Sequence, residues 1–119
     1  MERVPGEFDP VLHNAVRLKL VLLIASTTTA SFNELARDGM LTRGNLASHL
    51  KALETAGYIE APHMLIDLKP RRRYRLTEKG RDALVAYRES LESAIARIES
   101  VARGPLAPAA AEDPARAGR

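Results

Sequence analysis

The sequence predicts a mainly α-helical fold carrying one small β-hairpin. Aromatic residues make up only 4% of the chain and Trp is absent, so the core must be built from Leu, Ile, Val and Ala, which helices accommodate well. Apolar residues recur at helical steps over most of the chain, and only the stretch after Gly57 changes to short β-rich runs. At 119 residues one core suffices, and 45% hydrophobic with 28% charged residues is the balance of a folded chain. The expected organisation is one domain over residues 1–103 and a disordered Pro- and Ala-rich tail over 104–119.

Helix 1 is read over Pro10 to Ser26, with Val11, Leu12, Ala15, Val16, Leu20, Leu23 and Ile24 at helical spacing. Thr27 to Thr29 follow, and a run of β-branched polar residues favours an extended connection. Ser31 stands three residues before Glu34, the reciprocal capping arrangement that starts helix 2. Gly39 is the expected left-handed residue that closes it, with Met40 and Leu41 as the turn. Thr42 then caps helix 3, whose inward positions are Leu46, Leu50 and Leu53 before Gly57 ends it. Two short helices joined by a tight turn form a helix-turn-helix.

Tyr58 to Ala61, Met64 to Leu68 and Arg73 to Leu76 read as short strands, with the hairpin tip near Asp67 to Arg71 because Pro70 cannot donate to a ladder. Thr77 caps the last helix, and Glu78 in its first turn suits the helix dipole. Its apolar positions, Leu84, Tyr87, Leu91, Ala94 or Ile95, Ile98, and Val101 or Ala102, step by three and four as in a coiled-coil seam. A seam of that length needs a partner surface, which makes this a dimerisation helix.

Several functions are disfavoured. Cys is absent, which removes disulfides, thiolate metal sites and cysteine nucleophiles. His13 and His63 are isolated, so no metal is expected, and no cofactor either. No catalytic residues are expected, since no nucleophile stands beside a base and no Gly-rich phosphate loop follows a strand. The segment Met1 to Pro10 lacks the pattern of a secretory leader, and the run Leu18 to Ala25, interrupted by Lys19, is too short to span a bilayer. A cytoplasmic protein with no membrane partner is expected.

The net charge of +3 and pI near 9.6 suit a polyanionic partner, and the placement of the charge is sharper. Taking about 100° per residue, the outward face of helix 3 gathers Gly44, Ser48, Lys51 and Thr55, with Asn45, Ala47 and Ala52 beside it. Small and short polar side chains let a helix lie close in the major groove of duplex DNA. Gly44, in the first turn, costs about 1 kcal/mol against Ala, and close approach of the backbone to phosphate explains tolerating it. Lys69, Arg71, Arg72, Arg73 and Arg75 put five positive charges into seven residues with no acid between them. A phosphate backbone relieves that self-repulsion better than free counterions do. Each feature alone also describes a solvated surface; their succession along the chain is what points to DNA. His49, at the edge of the inward face, has three readings: packing, a phosphate contact, or a response to pH.

Three stretches carry a family likeness: Phe8-Asp9-Pro10-Val11-Leu12-His13, Leu41-Thr42-Arg43-Gly44-Asn45-Leu46-Ala47-Ser48-His49-Leu50, and Tyr74-Arg75-Leu76-Thr77-Glu78-Lys79-Gly80-Arg81. With the order of elements, they resemble the small winged helix-turn-helix regulators close to the MarR and ArsR families, over about Phe8 to Val101. The resemblance implies that helix 3 is the recognition helix, with Thr42, Arg43, Asn45, Ser48 and Lys51 facing DNA, and that the hairpin is a wing contacting DNA through Lys69, Arg71, Arg72 and Arg73. It also implies a dimer interface from the first and last helices, here Leu12, Val16, Leu84, Tyr87, Leu91, Ile95 and Ile98. Two departures are visible: Arg43 stands where the family often has an acid, and the wing has no Gly near its tip.

The expected function is a homodimeric transcriptional regulator, a repressor in the simplest case, on an inverted-repeat operator of double-stranded DNA. The rival reading is a winged helix that docks an acidic protein through its basic hairpin. A small-molecule effector has room between helix 1 and the last helix, but no polar constellation identifies one.

Overall fold

The computed structural model describes residues 7–110, and the elements run α1 (Ala15–Ser26), α2 (Phe32–Gly39), α3 (Arg43–Thr55), β1 (Ile59–Glu60), β2 (His63–Ile66), β3 (Lys69–Arg72), β4 (Arg75–Leu76) and α4 (Glu78–Arg103). The predicted mainly helical architecture, hairpin and long last helix are all present. Residues 111–119 of the expected tail lie outside the described residues, and 104–110 carry no regular element and are exposed.

α1 begins five residues later than its apolar pattern suggests. The Asp9 carboxylate accepts the N–H groups of Val11 (2.8 Å) and Leu12 (3.3 Å), holding this stretch in a turn. Asn14 then caps the helix by accepting from Val16 and Arg17, both at 3.0 Å. Tyr58 donates its hydroxyl to Asp9, which ties the N-terminal segment to the turn between α3 and β1.

The expected extended run after α1 is a tight turn instead, with Thr28 left-handed at φ 69°. Only Ala30 is extended, exchanging backbone hydrogen bonds with Tyr74 at 3.0 and 2.7 Å. The capping box at α2 forms as predicted: Glu34 N–H donates to Ser31 Oγ at 3.1 Å, and Ser31 N–H donates to Glu34 Oε1 at 3.0 Å. Gly39 is not the left-handed residue, however. Met40 takes that conformation at φ 55°, while Gly39 is the last helical residue, buried against Leu20 and Leu41.

Two antiparallel pairs make the β-structure. β1 and β4 pair at the base of the wing, Ile59 opposite Leu76, and β2 and β3 form the projecting hairpin, with registers from His63–Arg72 to Ile66–Lys69. The sequence places the tip at Asp67 to Arg71, but the turn is only Asp67 and Leu68, and Pro70 sits inside β3 opposite Leu65. Antiparallel alternation makes Ile66–Lys69 the hydrogen-bonded pair that closes the turn and Leu65–Pro70 the next, non-hydrogen-bonded one, so no N–H is missed at Pro70.

The core joins Leu20, Val21 and Ile24 of α1, Leu35 of α2, and Leu46, Leu50 and Leu53 of α3 to Ile59, Tyr58 and Tyr74. Two residues expected at the dimer interface belong to this core. Leu12 is 0% exposed because the Asp9 turn folds it inward, and Tyr87 is buried with its hydroxyl 2.9 Å from His13 Nδ1. α4, 26 residues and thus about 39 Å long, starts on the domain and leaves it: Leu84 and Leu91 are half-buried, while Ile95, Ile98 and Val101 are exposed.

Candidate nucleic-acid interface

The surface of α3 follows from its cap and its three leucines. Thr42 Oγ1 accepts Asn45 N–H at 3.2 Å, and burial of Leu46, Leu50 and Leu53 turns Arg43, Gly44, Asn45, Ser48, Lys51 and Thr55 outward. All of these, with Thr42, are exposed. A Cβ added at Gly44 would meet nothing within 4 Å, so the first turn of α3 leaves its backbone open on the outer side. Arg43 is partly committed: it donates to Asn33 Oδ1 at 2.9 Å and its guanidinium lies 4.6 Å above the Phe32 ring. Lys51 makes no ion pair among the described residues.

The basic run divides into two groups. Arg73 is a scaffold residue: it donates to Glu34 at 2.6 Å, to Thr29 Oγ1 at 3.2 Å and to the Thr29 carbonyl at 3.2 Å, with its side chain only 21% exposed. Three of its five N–H groups thus fix the wing base to α2 and to the turn after α1. Arg72 lies 3.6 Å from Glu54 and over the Tyr74 ring, and Arg75 pairs with Glu60 at 2.7 Å. Lys69 and Arg71 have no acidic partner among the described residues. The repulsion expected within this run is therefore relieved largely by acids brought from α2, α3 and β1.

Glu34 is central to that arrangement. Its carboxyl is held below the usual value of 4.5, first by the Ser31 backbone N–H, then by the Ser31 hydroxyl, with Arg73 adding to both. It stays ionised and keeps Arg73 in place. Between the start of α2 and the wing lies a cleft of about 390 Å³ lined by Ser31, Phe32, Asn33, Arg43, Ile66 and Arg71 to Arg73. Asn33 was not singled out from the sequence; its place in the second position of a capped helix was the only available signal.

His49 resolves toward the scaffold. Arg17 donates to its Nδ1 at 3.3 Å and, through Nε, to the Val11 carbonyl at 2.7 Å, so the pair links α3 to the N-terminal segment. No group of three His, Cys, Asp or Glu side chains able to hold a metal occurs among the described residues. A second cleft of about 690 Å³ lies between the end of α1, the wing base and α4, lined by residues including Thr28, Met64, Arg81 and Leu84. Among the described residues no helix is long and apolar enough to cross a membrane.

Three packed helices, with a cationic hairpin beside the outward face of the third, define a winged helix-turn-helix. Residues 16–95 match the family model described as Winged helix DNA-binding domain, and the chain belongs to that family. It is 34% identical over 77 residues to an uncharacterized protein of Methanocaldococcus jannaschii, covering 65% of this chain and 84% of that one. Among solved structures it is similar to a transcriptional regulator homologue from Pyrococcus horikoshii (28% identity, TM-score 0.65), covering 74% of this chain and 87% of that one. A MarR-like transcriptional regulator from Thermotoga maritima shares the fold at 21% identity and TM-score 0.56, over 77% of this chain and 63% of that one. The two solved structures are described as transcriptional regulators, the second as MarR-like, in line with the sequence resemblance.

Proposed function

We propose that the protein is a cytoplasmic, sequence-specific transcriptional repressor that binds an inverted-repeat operator as a homodimer. The observation that carries this reading is the exposed face Gly44, Asn45, Ser48, Lys51 and Thr55 of α3, standing beside a hairpin whose Lys69 and Arg71 have no acidic partner among the described residues. Short polar side chains on α3 read base edges while the cations meet phosphate, which separates specificity from affinity. Thr42 and Arg43 hold the start of α3, and Arg72, half committed to Glu54, adds positive charge at the wing. Occlusion of polymerase at the bound site is the simplest outcome.

The dimer is assigned to the free part of α4. Leu91, Ile95 and Ile98 continue the three- and four-residue steps from Leu84 onto a helix surface that this protomer does not cover, and Val16 of α1 is half-buried. Residues 1–103 would act as one unit, with 104–119 as its tail. The cleft beside α4 is the place where a small-molecule effector would change the angle at which α4 leaves the domain.

The test is the salt dependence of binding to a duplex that the protein retains from a genomic pool. Lys51, Lys69 and Arg71 give three free cations per protomer and six per dimer, so log affinity against log salt should have a slope near about −5. Arg71→Ala should bring it to about −3.5, because the dimer loses two phosphate contacts. Duplex affinity unaltered by Arg71→Ala and Lys69→Ala would instead favour docking of an acidic protein on the wing.

A further inference from the structure

The two-residue turn at the apex of the wing pairs Asp67 with a leucine that neither the turn nor the core needs. Leu68 is 93% exposed and Leu65 74%, with Ile66 also exposed between them and the turn. Asp67 and Leu68 both have positive φ, 52° and 65°, so the turn is the left-handed two-residue kind that Gly or Asn adopts at least cost. A leucine there adds strain and covers nothing. It is followed by Lys69, Pro70 and Arg71, the first and last of which have no ion pair among the described residues.

An exposed leucine followed on one strand by two cations with no acidic partner among the described residues fits a partner that is anionic along its rim and apolar within. The minor groove of duplex DNA has that make-up: phosphates line both walls, and base faces become available when a step opens. A groove about 6 Å wide admits a single side chain that projects from the hairpin apex. Arg71 and Ile66 line the same cleft as Arg43 and Asn33, so the hairpin borders the face that α3 presents.

We infer that Leu68 is a wedge that enters the minor groove flanking the site of α3, opens one base step and bends the duplex. The inference rests on the DNA-binding reading and adds to it how the DNA is deformed. Wedges of this type kink DNA by about 20–90°.

The test uses the full chain and a duplex selected by it from a random pool, end-labelled with a donor and an acceptor dye. Wild type should raise energy transfer between the ends and make thymines at one step per half-site reactive to permanganate. Leu68→Asn removes the apolar side chain yet suits the left-handed turn, so its melting temperature should be unchanged or higher. It should lose the bend and the reactive step, with affinity about tenfold weaker, since the buried leucine surface goes while the unstacking cost goes too. Leu68→Met should restore both. A duplex bound by Leu68→Asn with wild-type bend and reactivity would overturn the wedge and leave DNA binding standing. Retention of no duplex from the pool would overturn both readings, and an acidic protein groove would become the occupant of the tip.

Discussion

Replacing Gly80 with alanine adds a methyl group where the chain leaves no space for one. A Cβ there would overlap the carbonyl oxygen of Tyr58, and would lie 2.7 Å from Leu76 Cδ1 and 3.0 Å from the Tyr58 carbonyl carbon. Leu76 can rotate away, but the Tyr58 backbone cannot move freely. Its oxygen accepts Thr77 N–H at 3.0 Å, and the next residue, Ile59, is paired with Leu76 between β1 and β4. Overpacking of this kind costs about 1–3 kcal/mol, and a lost hydrogen bond adds about 1 kcal/mol. Better helix propensity returns up to about 1 kcal/mol. The net destabilisation is about 1–3 kcal/mol, which for a domain of this size lowers Tm by roughly 5–20 °C. Thermal melts followed by circular dichroism at one fixed chain concentration would measure it. A Gly80→Ala protein melting within about 3 °C of wild type would refute the reasoning.

Gly44→Ala should behave in the opposite way: with nothing near the added Cβ, stability should rise by about 0.5–1 kcal/mol in the same melts, while duplex affinity falls as the α3 backbone is kept from phosphate. Arg73→Ala, by breaking its contacts with Glu34 and Thr29, should cost about 1–2 kcal/mol in urea unfolding and weaken DNA binding with no change in salt slope, unlike Arg71→Ala. Glu34, held below its usual 4.5, contributes stability that is full above that value and is lost as pH falls through its lower folded value. Between about pH 5 and pH 3, wild type should therefore lose more stability than Glu34→Gln; parallel losses would remove Glu34 from the account. Ile98→Asp should turn the proposed dimer into monomers in sedimentation velocity with the helical signal kept.

What was legible in the sequence is what short-range physics decides. The caps Ser31, Thr42 and Thr77 act on amides three residues away, so they mark α2, α3 and α4 directly. The start of α1 was not legible in the same way, because Val11 and Leu12 continue the apolar pattern while the Asp9 carboxylate holds them out of the helix. The wing register was displaced for a related reason: propensity argues against a left-handed leucine, and the hairpin accepts one at Leu68. The outward face of α3 followed from three leucines and a helical period. The division of the arginines did not, since Arg73 meets Glu34 across 39 residues of sequence and Arg75 meets Glu60 across 15. Gly80 stood in one of the stretches that carry the family likeness, but its reason, the carbonyl of Tyr58, exists only in the folded chain.

A hydroxyl-radical footprint on the selected duplex tests most directly whether two chains set two copies of α3 and the wing against one double strand. Two protected half-sites related by inversion, with centres about 34 Å or one helical turn apart, are predicted. One protected half-site at saturating protein, or none, would contradict the account.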